Sequence, residues 1–117
     1  MDAIFIELPI FSKLRENYLD DDGYRELQTL LIQNPIAGDV IQGTGGLRKL
    51  RFVDHLRNKG KRGGIRIIYY WRVNKFQFYL FTLYNKNEMS DLTQAEKKKL
   101  KELLDREIKL RSNYEKT

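Results

Sequence analysis

The chain has 117 residues and a mass of 14.0 kDa, which suits one domain around one hydrophobic core. It contains no cysteine and one histidine, His55, so disulfide frameworks, cysteine-ligated metal centres, cysteine nucleophiles and paired-histidine chemistry are excluded. The net charge of +6 is unevenly spread: residues 48–66 carry eight basic side chains against Asp54 alone, whereas residues 1–47 carry three basic and eight acidic ones. A block of that kind is the electrostatic footprint of a polyanion partner, with a solvated basic loop as the plainer alternative.

In chain order, Ala3 to Leu8 is a β-prone run stopped by Pro9. Phe11, Leu14 and Tyr18 recur at helical spacing and predict a short helix from about Ile10 to Leu19. Asp20, Asp21 and Asp22 lack the spacing of a calcium loop and read as the acidic N-terminus of a second helix. Tyr24, Leu27, Leu30 and Leu31 are the apolar face of that helix, which should end near Gln33 and Asn34 ahead of Pro35. Residues 35–46 read as a glycine-bearing loop. Gly38 and Gly43 have the separation of a phosphate loop, but Thr44 and Gly45 stand where Lys and Ser/Thr are required.

Three strands are then expected. Leu47 to Val53 alternates, with Leu50 and Phe52 on one face and Lys49 and Arg51 on the other. After a basic connection from Asp54 to Gly64, Ile65–Val73 and Phe76–Tyr84 pair as a hairpin turned near Asn74 and Lys75. Thr93 and Glu96 match a capping box that starts a final helix, with Leu100, Leu103, Leu104 and Ile108 as its buried stripe. Lys97, Lys98, Lys99 and Lys101 read as its solvated face, and the last few residues as frayed. The expected architecture is a single α+β domain, 1–117, in the order β-α-α-β-β-β-α, with a twisted, mainly antiparallel sheet and helices packed on one face. Met1 to Ile4 lacks the start of a signal peptide and no apolar run is long enough to span a bilayer, so no membrane partner and a cytoplasmic location are expected.

On a sheet face left free by the helices, Lys49, Arg51 and Arg66 would converge, with Lys86 just beyond the last strand. Such a groove, rich in cations and poor in acids, suits a phosphodiester backbone better than carboxylate hydrolysis or a magnesium site, and no cofactor is expected. One or two of the interleaved aromatics (Tyr69, Tyr70, Trp71, Tyr79, Tyr84) would stack on bases. RNA supplies its own nucleophile, the 2′-hydroxyl, so a protein need add only geometry, charge stabilisation and proton transfer. The same residues also fit a module that binds RNA or the ribosome and blocks translation without cutting. A DNA-reading protein is disfavoured, because no basic helix follows a turn as in a helix-turn-helix.

Val40 to Lys49, then Gly60-Lys61-Arg62-Gly63-Gly64, Arg66 to Tyr70 and Tyr84-Asn85-Lys86-Asn87-Glu88, resemble HigB-type toxins of the RelE superfamily, over a stretch from about Ile4 to the last helix. The resemblance implies the toxin of a type II toxin–antitoxin pair, a metal-independent, ribosome-dependent endonuclease that cuts mRNA in the ribosomal A site. It implies catalytic roles for Lys49, Arg51, Arg66 and Lys86, with Tyr84 as the candidate for a tyrosine missing from Met89 to Thr93. Asn87 stands where RelE has a second catalytic arginine. RNA or ribosome contacts are expected from Arg48, Arg57, Lys59, Lys61, Arg62 and Asn87. The implied partners are a HigA-like, helix-turn-helix antitoxin, the ribosome with its A-site mRNA, and operator DNA only through the antitoxin complex. His55 is expected to be an exposed loop residue without catalytic duty.

Overall fold

The computed structural model describes residues 2–62, 64–86 and 92–115, with residues 114 and 115 described by their backbone alone. The elements are β1 (Ile4–Glu7), α1 (Pro9–Tyr18), α2 (Asp21–Gln33), β2 (Asp39–Val40), β3 (Arg48–Phe52), β4 (Ile65–Arg72), β5 (Gln77–Asn85) and α3 (Gln94–Glu115). They form an α+β domain whose five-stranded mixed sheet has the order β1-β5-β4-β3-β2. Only β1 runs parallel, alongside β5.

Local chemistry places the helix boundaries. Pro9 occupies the first turn of α1, where its missing N–H costs nothing. Asp20 caps α2 by accepting a hydrogen bond from Gly23 N at 2.7 Å, as the acidic run predicted. At the start of α3, Thr93 N donates to Glu96 Oε1 (2.8 Å) and Glu96 N donates to Thr93 Oγ1 (3.1 Å), the reciprocal pair of a capping box.

The predicted loop 35–46 contains a strand. Asp39 and Val40 lie opposite Lys49 and Arg48, and Ile41 N donates to Leu47 O at 2.8 Å. The turn between them closes around buried Thr44, whose hydroxyl donates to Ile41 O (2.7 Å) and accepts from Leu47 N (3.2 Å). Gly43 and Gly45 take φ of 81° and 79°, a backbone that an L-side chain resists.

Helices cover both faces of the sheet rather than one. Phe11, Tyr18, Leu27 and Leu31 of α1 and α2 pack on Leu50, Phe52, Ile65, Ile67, Tyr69, Phe78 and Leu80. Leu104 of α3, with Leu100 and Ile108, packs on Ile68, Tyr79, Phe81 and Tyr84 across the sheet. The cause is the composition of the two central strands, which are apolar on both sides and so require two covers. Arg72 of β4 also reaches α3, donating to Ser112 Oγ at 3.1 Å, and Arg111 lies over the Tyr79 ring at 5.3 Å. Leu103, expected in the buried stripe, is 39% exposed. No helix among the described residues is long and apolar enough to cross a membrane.

A β-bulge sets which residues of β5 meet which cover. Ile68 lies opposite Thr82 and Tyr69 opposite Leu80, leaving Phe81 as an extra residue. Phe78, Leu80 and Leu83 therefore face α1 and α2, while Tyr79, Phe81 and Tyr84 face α3.

Two phenols, partly buried Tyr24 and buried Tyr69, make the fold sensitive to alkali. Burial raises the Tyr24 hydroxyl above its ordinary value, reinforced by its donation to Glu7 Oε2 at 2.8 Å. Burial likewise raises Tyr69, whose hydroxyl donates to Pro35 O at 2.8 Å. In the unfolded chain both phenols lose their protons near pH 10, while the folded chain still holds them. The unfolded state then binds fewer protons, so stability is full below about pH 10 and falls above it. Urea unfolding from pH 8 to 11 should show this decline, and Tyr24→Phe with Tyr69→Phe should flatten it.

Candidate nucleic-acid interface

Strand alternation and register assemble the candidate residues. Arg51 lies directly opposite Arg66, and Arg66 directly opposite Tyr84, so the three form one row across β3, β4 and β5. Lys49, two residues from Arg51, shares its side of β3. Lys86 follows β5 at the same end of the sheet, where its backbone N–H donates to Gly64 O at 3.3 Å, and its side chain is exposed.

The members of the row differ in access. Arg51 is exposed, Lys49 partly buried, and Arg66 only 7% exposed. The Arg66 guanidinium donates to Lys61 O at 3.1 Å and Arg62 O at 3.0 Å, which ties the end of the basic loop to β4. Its pKa lies below the usual arginine value because of burial first and the Arg51 cation second, with Tyr84 acting in the opposite direction. Tyr84 is 5% exposed beneath α3.

Two open grooves run beside β3. One, of about 380 Å³, is lined by Leu30, Gln33, Asn34, Ala37, Asp39, Lys49, Leu50, Arg51 and Lys61. The other, of about 250 Å³, is lined by Asp39, Val40, Ile41, Gln42, Lys49, Arg51, Leu92 and Lys97. Lys49, Arg51 and Asp39 are common to both, so the grooves flank the same pair of cations. They form beside β3 because β2 pairs with it only at Arg48 and Lys49, leaving the edge beyond uncovered. Asp39 is the single acid among the lining residues, against four cations. Such a surface neutralises and orients phosphates, and its fixed charges can stabilise extra negative charge developing on one of them.

The remaining expected contacts divide. Lys59, Lys61 and Arg62 are exposed on the loop. Within that loop Asp54 and Lys59 exchange backbone hydrogen bonds of 2.7 and 2.8 Å, which closes the turn between them. Arg48 turns away from Lys49 and donates to Gly38 O at 2.8 Å, holding the segment after α2. Arg57, although exposed, is tied to the protein's own groups: it pairs with buried Asp54 (3.3 Å), donates to Asn17 O (2.9 Å) and lies over Tyr18. His55 is exposed and meets Glu26 of α2 at 3.0 Å, away from the row. Asn87 lies outside the described residues. None of the aromatic side chains expected to stack on bases lines either groove.

A family model for the RelE toxin of the RelE/RelB toxin–antitoxin system matches residues 33–114. The chain belongs to the RelE toxin family. The match spans β2, β3, β4, β5 and nearly all of α3, so both sides of the second groove and the whole cationic row fall within it. RelE family proteins are toxins of toxin–antitoxin pairs, in general ribonucleases that inhibit translation, and an antitoxin is therefore the partner class for this chain.

Sequence reasoning missed Lys97, Asp39, Gln33 and Asn34 as groove residues. Lys97 belongs to a run of four near-consecutive lysines, and nothing in the run distinguishes the one that the N-terminus of α3 brings beside β3. Asp39 carried a signal in principle: an acid four residues before Gly43 and ten before Lys49 fits a hairpin partner.

Proposed function

We propose that this RelE family chain is a HigB-type toxin that cleaves mRNA in the ribosomal A site. The observation that supports it most is the row Arg51–Arg66–Tyr84 with Lys49 alongside, flanked by grooves that present four cations and one acid. In this reading the RNA backbone crosses the β3 edge. Arg51 and Lys49 take the scissile phosphate, Arg51 with the bidentate fork suited to phosphate oxygens. The 2′-oxygen attacks the adjacent phosphorus in line, forming a 2′,3′-cyclic phosphate and breaking the bond to the 5′-oxygen of the next nucleotide. One proton leaves the 2′-hydroxyl and one reaches the departing oxygen; Lys49, Lys86 and Tyr84 are the candidates for these transfers. Arg66, in the middle of the row, adds fixed positive charge beside Arg51 and holds Lys61 at the groove. Lys59, Lys61 and Arg62 extend the cationic surface toward ribosomal RNA. The antitoxin is proposed to be HigA-like.

Primer extension on an mRNA in a purified translation system, with and without ribosomes, tests this. Cuts confined to ribosome-engaged mRNA are expected. Halted translation with intact mRNA would replace the endonuclease by a module that only blocks.

A further inference from the structure

The first groove has two unlike walls. Lys49, Arg51 and Lys61 form one of them, and the other is the end of α2, where Gln33 and Asn34 stand beside Leu30. Both amides are exposed, and among the described residues neither is tied to another side chain. Two uncommitted amides beside a phosphate-binding wall are unexpected if the groove serves charge alone. A primary amide adds nothing to the neutralisation of a phosphate that three cations already face. Its distinctive property is that it offers a donor and an acceptor side by side.

We infer that Gln33 and Asn34 form a nucleobase subsite, which reads a base of the RNA whose phosphates lie on Lys49, Arg51 and Lys61. This rests on the reading of the chain as an mRNA endonuclease. The amide pattern matches a base edge that presents a donor beside an acceptor, as N6 and N7 of adenine do. Guanine presents two acceptors at N7 and O6, a pattern that Arg or Lys fits better. Leu30 and Ala37 supply apolar surface against the face of the base. Among the described residues the groove lining holds no aromatic side chain, so discrimination here runs through the base edge and not through stacking, which tolerates every base. The helix places this wall rigidly, because Leu27 and Leu31 anchor α2 on the sheet and Asn34 N donates to Leu30 O at 2.9 Å.

The test uses ribosome-engaged mRNAs that differ at one cleaved position, where each of the four bases is placed in turn. Initial cleavage is compared for the native chain and the Gln33→Ala/Asn34→Ala double variant. A well-placed bidentate contact discriminates bases by between about 5-fold and 150-fold. The native chain is expected to favour adenine over guanine within that range, and the double variant to bring the ratio close to one. A ratio unchanged in the variant, or a native chain indifferent to the base, overturns the subsite and leaves the endonuclease standing. A native chain that cuts none of the mRNAs overturns both. Thermal unfolding of the variant is recorded alongside, and Gln33→Glu provides a second probe, since it keeps the side chain's shape and removes its donors.

Discussion

Arg66→Ala is expected to lower mRNA cleavage by about two to three orders of magnitude while the domain stays folded. The substitution removes a cation directly opposite Arg51 and releases the backbone at Lys61 and Arg62, so two contributions to the phosphate site are lost together. Loss of one well-placed electrostatic group typically costs about 3–4 kcal/mol of barrier. The stability cost is smaller. Hydrogen bonds to a charged group are worth about 1.5–3 kcal/mol each when both partners are cut off from water. Here the carbonyls left behind belong to exposed loop residues that water can reach. The buried charge also disfavours itself, as its lowered pKa records, and its removal relieves the repulsion from Arg51. Arg66→Lys should recover only part of the rate, because one ammonium cannot span two carbonyls as the planar fork does. Single-turnover cleavage with a parallel melting curve checks this. A full-rate Arg66→Ala would remove Arg66 from the site.

Phe78→Ala is expected to cost about 3–5 kcal/mol, the largest loss of stability from any single truncation in this core. Phe78 is fully buried and stands at the centre of an aromatic row across three strands. Its ring stacks on Phe5 at 4.8 Å and 9°, on Trp71 at 4.5 Å and 30°, and meets Tyr69 at 6.2 Å. Backbone pairing on both sides holds these neighbours in place, so the cavity cannot easily collapse. Against a typical stability of about 5–15 kcal/mol, that is about a fifth of the total or more. A fall in melting temperature of roughly 10–20 °C follows for a domain of this length. Phe78 faces α1 and α2, opposite the cationic row, so cleavage per folded molecule well below the transition should persist. A shift of only a few degrees would mean that the strands close over the gap.

The separation of these two effects reflects how the sheet is built. One side of β4 carries Ile65, Ile67 and Tyr69 into the first core, and the other carries Arg66 and Ile68 toward α3. Alternation along a strand was readable without coordinates, which is why Lys49 and Arg51 could be grouped against Leu50 and Phe52. The same rule failed within β5, where the extra residue Phe81 shifts the phase. By strict alternation Thr82 and Tyr84 would face α1 and α2; the bulge instead turns Tyr84 to the side of Arg66.

What the amino-acid order determined by itself was local. Asp20 as a cap, Pro9 as the stop of the first strand, the Thr93/Glu96 box and the alternation of β3 all depend on residues within a few positions of one another. The physics of unpaired N–H groups and side-chain period is complete at that range. The concentration of charge in residues 48–66, and with it the preference for a polyanion, was likewise present in the sequence. Only the tertiary structure decided which of those charges remain available. Arg57 and Arg48 look equivalent to Arg51 in composition, yet one is bound to Asp54 and Asn17 and the other to Gly38. Lys97 looks like its neighbours until α3 sets it beside Lys49 and Arg51. Nor did local pattern show that α3 covers the face expected to be free. That placement follows from the need to bury Ile68, Tyr79 and Phe81, a requirement set by apolar residues from two strands at once. Availability of a charge depends on partners distant in the chain, and those partners exist only once the sheet has formed.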